Sequence, residues 1–491
     1  MDGTIDYSRK WYVMSAVAMG IFLATIDMSI VNVALPTLVR SFDSEFAVVQ
    51  WVVLAYLLTL ATLMLSIGRW ADIVGKKPLY TVGIAIFTVG SALCGLAPTV
   101  YWLIGFRVLQ ATGAAMTAAL GMAIITEAFP ASERGKALGI TGSIVSVGIV
   151  LGPTLGGILI DALSWHWIFF VNVPIGIVGI FMVARFVPNF KPAGGQRFDY
   201  WGAITLFVSL TCLLLALTVG QRVGFSRPPI LLLFSSWAVF LAVFAVIELK
   251  TSQPMIDFSM FKNRLFSINL ITGFITFVTI AGTIILMPFY LEEVLGYETR
   301  QVGLLLGVLP LAMGLIAPLA GAASDRFGAR PITVIGLLIL VVGYAALSTL
   351  DHQTTTLGYM VRFVPIGLGM GIFQSPNNSA IMGGVSRDRL GVASGLLALT
   401  RSLGQTVGVA TLGALWAGRV VYHMGGVLLG GATTAAAPVQ AAALGDTFHV
   451  IEVLMSLALM LSVWGLIQER RRLARDRMGE SASQRISGPT S

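Results

Sequence analysis

The chain has 491 residues, of which 56% are hydrophobic and 11% charged, and its mean hydropathy is +0.87. Soluble domains carry about 25% charged residues, so this composition excludes a soluble enzyme, a disordered protein and a small disulfide-stabilised secreted domain. The formal net charge of +8 fits basic loops at a membrane surface.

Fourteen apolar segments follow one another along the chain, and each is long enough to cross a bilayer as a helix of about 20 residues. The strands of a membrane barrel would instead show alternating segments of about ten residues. We therefore predict an all-α integral membrane protein with 14 transmembrane helices. The predicted spans are about 11–36, 46–67, 78–97, 101–128, 137–161, 168–188, 200–220, 229–249, 266–290, 300–322, 331–350, 357–383, 391–416 and 446–467.

Basic residues mark one side of these spans. Most of the 31 Lys and Arg residues fall at the N-terminus, in alternate loops and in the C-terminal segment. Cytoplasmic segments carry such an excess, so we expect both termini in the cytoplasm. Residues 478–491, rich in Ser and Gly, are expected to form a disordered cytoplasmic tail.

An internal repeat divides the chain. The sequence around Asp72 recurs around Asp325, and other features of the first six spans recur in the last six at nearly the same offset. Two parallel six-helix halves are therefore expected, with a two-helix insert between them. The segments are the N-terminal half 1–199, the insert 200–250 and the C-terminal half 251–477.

Five short motifs resemble those of one transporter family. They lie in the first, fourth and fifth spans, in the loop between the second and third spans, and at the start of the sixth span. The motifs are Ile26-Asp27-Met-Ser-Ile-Val-Asn32-Val-Ala-Leu-Pro36, Gly68-x-x-x-Asp72-x-x-Gly75-Lys76-Lys77, Arg107-Val-Leu-Gln110-Ala-Thr-Gly113, Gly148-x-x-x-Gly152-Pro153-x-x-Gly156-Gly157 and Trp165-His-Trp-Ile-Phe-Phe-Val-Asn172-Val-Pro174-Ile-Gly176. Together with the fourteen spans, they resemble the fourteen-span drug:proton antiporter family of the major facilitator superfamily, of the multidrug efflux type.

The resemblance implies the major facilitator fold, whose substrate site lies between the halves near the membrane midplane. It implies a proton-coupled exporter of lipophilic drugs, cations among them, that works by alternating access in a bacterial inner membrane and confers antibiotic resistance. The expected partners are the small-molecule substrate, protons and membrane lipids. No enzyme activity, cofactor, metal, nucleic acid or ATP is expected, and the protein is expected to be a monomer. Neither Gly75-Lys76 nor Gly135-Lys136 has the spacing of an ATP-binding phosphate loop.

Asp27 is the main candidate for proton coupling or substrate contact. A carboxylate within a span costs at least about 2.5 kcal/mol, so it must be paired, hydrated or protonated. The helix rise places Asp27 roughly 22 Å from Tyr12, in the outer half of the membrane, as is Arg107. We expect Asp27 and Arg107 to share one polar network; the alternative is a static ion pair that only holds the half together.

Three further polar residues are candidates for the same site. Asn32 belongs to the motif that contains Asp27. Glu292 and Glu452 lie near the ends of predicted spans and are candidates for a second proton or cation ligand. The alternative for these two carboxylates is an interfacial charge that faces water.

Two loop motifs are predicted to gate the transporter on the cytoplasmic side. Asp72 and Asp325 can satisfy helix N-termini and pair with nearby basic residues, which would clamp the two halves together. The alternative is a solvated loop charge. The other residues of these motifs are Gly68, Gly75, Lys76 and Arg326.

The fifth span carries a second gating candidate. Pro153 is expected to bend it because proline lacks an N–H and clashes with the preceding turn. Gly148, Gly152 and Gly156 recur every four residues and so share one face, which allows a neighbouring helix to come close. We expect this face to seal the halves on the outer side; the alternative is plain helix packing.

The sequence also allows other functions. The same fold can export a lipid, siderophore or metabolite, or can run as an importer. A membrane-embedded enzyme or sensor is the alternative from a different class. The roles of the insert and of residues 424–445 are not assigned.

Overall fold

Long apolar helices make up the structure, a computed structural model that describes residues 7–44, 46–189, 198–251, 254, 256, 258–425 and 435–486. Apolar segments of this length form helices because lipid offers no partner to backbone N–H and C=O groups, which must pair within the segment. Among the described residues, 13 helices are long and apolar enough to cross a membrane.

Fourteen long helices follow the chain order. The first half contains α1 (Lys10–Ser41), α2 (Trp51–Val74), α3 (Lys76–Gly95), α4 (Val100–Ala128), α5 (Arg134–Ala162) and α6 (Asn172–Phe186). The insert contains α7 (Tyr200–Val223) and α8 (Pro228–Lys250). The second half contains α9 (Arg264–Phe289), α10 (Val308–Phe327), α11 (Ala329–Leu347), α12 (Thr356–Gly383), α13 (Leu390–Met424) and α14 (Ala437–Ile486). The predicted all-α architecture is therefore confirmed.

Helix α13 is not among the thirteen apolar helices, although its 35 residues exceed what a bilayer requires. It carries Arg401 and several polar residues near its middle. Polar groups at such a depth are tolerated where they face protein or an internal cavity. Its length and its packing against helices of both halves fit a fourteenth spanning helix.

Single glycines make the two sharpest turns of the repeat. Gly75 alone joins α2 to α3 at a φ of 109°, and Gly328 alone joins α10 to α11 at a φ of 89°. Both angles are strained for residues with a side chain. We call the end of the bundle that carries these turns, together with Asp72 and Asp325, the clamp end; α1 begins and α14 ends there.

The two halves pack against each other along two seams, one between α5 and α10 and one between α2 and α13. Within the first half, α1 packs against α4, α5 and α6. In the insert, α7 packs against α8 and also contacts α2 and α13, one helix from each half. The insert thus lies beside one of the two seams.

The C-terminal segment differs from the prediction. Helix α14 continues to Ile486, so the expectation of a disordered tail from residue 478 is wrong for residues 478–486, and residues 487–491 lie outside the described residues. Glu, Arg, Ala and Gln favour helix and extend the last span. Helix α14 also begins at Ala437, inside the segment 424–445; residues 426–434 of that segment lie outside the described residues.

Candidate functional site

Asp27 of α1 and Arg107 of α4 form a buried ion pair. The Arg107 Nη1 atom lies 2.6 Å from Asp27 Oδ2, and the exposed fractions of the two residues are 1% and 0%. The structure therefore brings together the two residues that the sequence placed in one network. Removing one partner of such a buried pair leaves an uncompensated charge and costs about 3–5 kcal/mol.

Donors from two further side chains complete the network around Asp27. Gln110 Nε2 donates to Asp27 Oδ1 at 2.8 Å, and Asn172 Nδ2 donates to the same oxygen at 3.0 Å. Arg107 also donates to Gln110 Oε1 at 2.6 Å and, through Nε, to the Val52 carbonyl of α2 at 3.0 Å. The carboxylate thus ties α1 to α4 and α6 directly, and to α2 through Arg107.

The guanidinium is packed as well as paired. The Arg107 Cζ atom lies 4.1 Å from the centre of the Tyr56 ring of α2. A cation over an aromatic face is stabilised by the ring quadrupole. Gln110 also donates to Ser91 Oγ of α3 at 2.7 Å, so five of the six helices of this half meet at the network.

Asn32 does not belong to this network. Its side chain is exposed and its Nδ2 donates to the Met28 carbonyl of its own helix at 3.1 Å. Five residues of helical rotation turn Asn32 away from Asp27, and its role in proton coupling or substrate contact stays a prediction. Asn172 supplies the amide instead.

The two candidate glutamates lie away from Asp27. Glu292 is exposed, in the turn that follows α9. Glu452 is half-buried in α14, and its Oε2 lies 3.3 Å from His449 Nδ1. Their role in proton coupling stays a prediction.

Asp72 clamps the first half to the second. Its Oδ1 accepts the backbone N–H of Gly391 at 2.9 Å and its Oδ2 accepts that of Val392 at 3.0 Å, both in the first turn of α13. A carboxylate at a helix N-terminus is stabilised by free N–H groups and by the helix dipole. Asp72 therefore makes the contact with a helix N-terminus that the sequence predicted.

Asp325 makes the equivalent contact in the opposite direction. Its Oδ1 accepts the N–H of Gly135 at 2.7 Å and its Oδ2 accepts that of Lys136 at 2.8 Å, at the start of α5. Each half thus supplies one carboxylate and one helix N-terminus. The two contacts close the clamp end along both seams.

Lys76 is the basic partner of Asp72. Its Nζ lies 3.4 Å from Asp72 Oδ1 and 2.9 Å from Glu127 Oε1, and its side chain is buried. Arg326 differs from Lys76: it is exposed, with its guanidinium 5.2 Å from the centre of the Phe327 ring. The second clamp thus rests on Asp325 and the helix N-terminus, and Arg326 does not line it.

Glycines allow the backbones of the two halves to touch at the clamp end. A Cβ built on Gly68 or on Gly391 would collide with the carbonyl oxygen of the other. A Cβ built on Gly321 would collide with the carbonyl of Gly135 in the same way. Gly68 therefore has a packing role across the seam in addition to its place in the loop motif.

The glycine face of α5 has a different partner from the predicted one. A Cβ on Gly148 would meet Thr25 at 3.0 Å, and Cβ atoms on Gly152 and Gly156 would collide with Ser29 and Ile30, all on α1 of the same half. In this structure the face therefore packs against its own half, and its role in sealing the halves on the outer side stays a prediction. The face of α5 turned to α10 carries Gly135, Gly139 and Gly142 instead. Pro153 lies in α5, and its side chain is outside the described part of the structure.

A small cavity lies between the halves. Its free volume for water is about 30 Å³. Its first-half walls come from α4 and α5 and its second-half walls from α10, α12 and α13. The lining residues are Met122, Leu138, Thr141, Gly142, Val145, Ala317, Gln374, Ser375, Asn378 and Arg401.

Arg401 is the charged residue of this lining, and sequence reasoning assigned it no role. The signal was present, because an ionisable residue within a span is by default a candidate for function. None of the described residues that line the cavity is acidic, and Asp27 is enclosed within the first half. The described lining therefore offers no carboxylate to a cationic substrate.

Comparisons with known proteins agree with the fold. The family model described as Major Facilitator Superfamily matches residues 17–409. The chain is 37% identical over 418 residues to "Riboflavin transporter RibZ" of Clostridioides difficile, covering 84% of this chain and 90% of that protein. It is 33% identical over 403 residues to "Multidrug resistance protein Stp" of Mycobacterium tuberculosis, covering 82% and 75%. It is 32% identical over 416 residues to "Multidrug resistance protein 3" of Bacillus subtilis, covering 84% and 80%.

Two solved structures resemble the fold at low sequence identity. The human organic anion transporter MFSD10 matches with a TM-score of 0.62 at 16% identity, covering 91% of this chain and 99% of that chain. The proton:xylose symporter XylE matches with a TM-score of 0.63 at 13% identity, covering 91% and 95%. At these identities the likeness concerns the fold alone.

Proposed function

This chain belongs to the major facilitator superfamily, and we propose that it is a proton-coupled exporter of amphipathic small molecules. It is a multi-pass membrane transporter of small molecules and not an enzyme. Relatives named for multidrug resistance support export of diverse cargo. The proposed setting is a bacterial inner membrane, with both termini and the clamp end in the cytoplasm.

The buried Asp27–Arg107 pair is the observation that carries this proposal. A pair with almost no exposure, inside a membrane-spanning bundle, is an expensive way to hold helices together. Apolar residues of similar volume would stabilise a static bundle as well or better. Packing alone therefore does not explain the buried pair. A carboxylate that gains and loses a proton during transport does explain it.

Protonation of Asp27 would unbalance the network. A neutral carboxyl no longer compensates the Arg107 charge, which then has only neutral acceptors such as Gln110 Oε1 and the Val52 carbonyl. The helices held by this network must then rearrange or the proton must leave. The charge state of Asp27 thus favours one arrangement of the first half over another.

Helix α2 connects this network to the clamp. Val52, near one end of α2, accepts a hydrogen bond from Arg107. Asp72, near its other end, holds the N-terminus of α13. A change at Asp27 that tilts α2 would therefore loosen the clamp. This connection rests on the contiguous contacts from Arg107 through α2 to α13.

A proton gradient is sufficient to drive this export. One charge crossing about 100 mV yields about 2.3 kcal/mol, which corresponds to a roughly fifty-fold concentration gradient of cargo. One titrating carboxylate per cycle therefore suffices.

A second cargo class is favoured by one specific relative. The riboflavin transporter shares 37% identity over most of both chains. Its name favours a polar metabolite as cargo on the same proton-coupled machinery. The choice between drug-like and metabolite cargo does not change the roles proposed for Asp27 and for the clamp.

The proposal is tested in proteoliposomes that enclose a pH-sensitive dye. A proton gradient is imposed, and amphipathic drugs or riboflavin are then added one at a time. The assay measures the movement of protons that depends on each compound. We expect proton movement in the wild type and none in Asp27→Asn or in the charge-neutral pair Asp27→Asn/Arg107→Gln. The control Asp388→Asn removes an exposed carboxylate outside the network and should leave proton movement intact. Proton movement that persists in both Asp27 variants would overturn the proposal.

A further inference from the structure

Arg401 lies at the interface between the two halves. Among the described residues, no hydrogen bond or ion pair to its side chain is present. Its position in α13 is roughly 16 Å from the clamp end of the helix, close to the midplane of a bilayer about 30 Å thick. By contrast, Arg107 and Arg419 each have a carboxylate partner, Asp27 and Asp446.

The polar side chains beside Arg401 also have unused hydrogen-bonding capacity. Gln374 and Asn378 line the same cavity, and their side-chain amides make no hydrogen bond with any described residue. Ser375 differs, because its hydroxyl donates to the Gly135 carbonyl at 2.9 Å. The cavity therefore contains one guanidinium and two side-chain amides that make no hydrogen bond with any described residue.

Most of the remaining wall of the cavity is apolar, and the hydroxyl of Thr141 donates to the Ala137 carbonyl of its own helix. Met122, Leu138 and Val145 come from the first half, and Ala317 comes from the second. A cavity with one cationic group and a mostly apolar wall is suited to an amphipathic molecule, polar at one end and apolar over the rest.

An unpaired guanidinium at this depth is costly in free energy. A ligand that brings a negative charge removes that cost, whereas a cationic ligand increases it. Guanidinium also matches the geometry of carboxylates and similar oxyanions, which it can bind through two parallel N–H donors.

We propose that the cavity is the binding site for an amphipathic organic anion, with Arg401 as the residue that binds its anionic group. Gln374 and Asn378 donate to the same oxygens, and the apolar wall contacts the body of the molecule. The inference rests on the proposed function, because it assigns the cargo class of that exporter. With about 30 Å³ of free volume, the cavity admits such a molecule only when the clamp end opens and the halves part.

The test compares two planar xanthene dyes of similar size and opposite charge, fluorescein and rhodamine 123. Binding to the purified full-length protein in detergent is measured by fluorescence anisotropy, so that the readout does not depend on proton coupling. The variants are Arg401→Gln, which removes the charge, and Arg401→Lys, which keeps it. The control Arg362→Gln makes the same change at an arginine of α12 that donates to Thr349 and to the Gly358 carbonyl.

We expect the wild type to prefer fluorescein. Arg401→Gln should lower the affinity for fluorescein by at least about tenfold and leave that for rhodamine 123 unchanged or raised. Arg401→Lys should retain most of the affinity, and Arg362→Gln all of it. The melting temperature of Arg401→Gln should not fall, because the residue has no internal partner to lose; a merely structural arginine would lower it.

A wild type that prefers rhodamine 123, or that binds no fluorescein, would overturn the inference. Equal affinities of the wild type and Arg401→Gln for fluorescein would also overturn it. The variant Asp27→Asn separates this inference from the proposed function. Fluorescein binding that depends on Arg401 and survives in Asp27→Asn supports the anion site even if no proton movement is found in vesicles.

Discussion

The carboxylate of Asp72 and the backbone N–H of Gly391 lie on different halves of the molecule and are joined by a hydrogen bond of 2.9 Å. Asp325 and Gly135 repeat the relationship with the halves exchanged, at 2.7 Å. The clamp end is thus held by two reciprocal contacts of one chemical kind. Opening that end must break both.

Asp72→Asn and Asp325→Asn should each shift the molecule toward the open clamp. The amide keeps one acceptor oxygen but loses the charge that the helix dipole favours, worth up to about 2 kcal/mol in partly buried sites. The ratio of closed to open clamps should fall by roughly tenfold for each variant. Spin labels introduced at Ser132→Cys and Lys262→Cys, both exposed and on opposite halves, measure the change by double electron–electron resonance.

The matched control for this measurement is Asp388→Asn. Asp388 is exposed at the same end and is 3.9 Å from Arg389. The Asp388→Asn variant should leave the distribution of distances between the two spin labels unchanged. A distribution that stays the same in Asp72→Asn and Asp325→Asn as well would show that the two contacts do not hold the clamp.

Gly321→Ala should prevent the clamp from closing. Its Cβ would collide with the Gly135 carbonyl, which is backbone and has little room to move. We expect a longer distance between the same two spin labels and a loss of transport. Gly383→Ala, near the same end and with nothing within 4 Å of its Cβ, should match the wild type in both measurements.

Asp27→Asn should destabilise the protein more than the double variant Asp27→Asn/Arg107→Gln. The single change leaves the buried Arg107 charge unpaired, at a cost of about 3–5 kcal/mol, whereas the double change removes both charges. Thermal unfolding followed by tryptophan fluorescence measures the difference. A single variant as stable as the double one would indicate that Arg107 finds another counter-charge.

Gly152→Ala should weaken the first half without opening the clamp. Its Cβ would collide with Ser29 of α1, and overpacking of this kind typically costs about 1–3 kcal/mol. The melting temperature should fall while the distance between the two spin labels stays constant. Gly157→Ala, in the same helix with nothing within 4 Å of its Cβ, should have no effect on either. A changed distance in Gly152→Ala would restore the idea that this face controls contact between the halves.

Much of this architecture could be predicted because a chain crosses lipid as apolar helices of about 20 residues. Helix number follows from apolar length, and the relation between the halves follows from the recurrence of the Asp72 motif at Asp325. The pairing of Asp27 with Arg107 was predictable because a buried charge demands a partner of opposite sign.

Contacts that depend on which helices are neighbours were harder to predict. Periodicity shows that Gly148, Gly152 and Gly156 share a face, but it does not show that α1 rather than the other half covers that face. Asn172 and Asn32 are chemically alike, and only the packing of α6 against α1 brings one of them to Asp27. The sequence did not show that Arg401 lines a cavity, because five helices from both halves form that cavity.

The position of α7 gives the two seams different surroundings. It contacts both α2 and α13 and so covers their seam on one flank, whereas neither insert helix, as described, has a comparable contact with α5 or α10. The internal repeat makes the seams alike in their clamps, yet the insert makes them unlike toward the surrounding lipid. The flank of the α2 and α13 seam is therefore shielded by α7, whereas the insert gives the α5 and α10 seam no such cover.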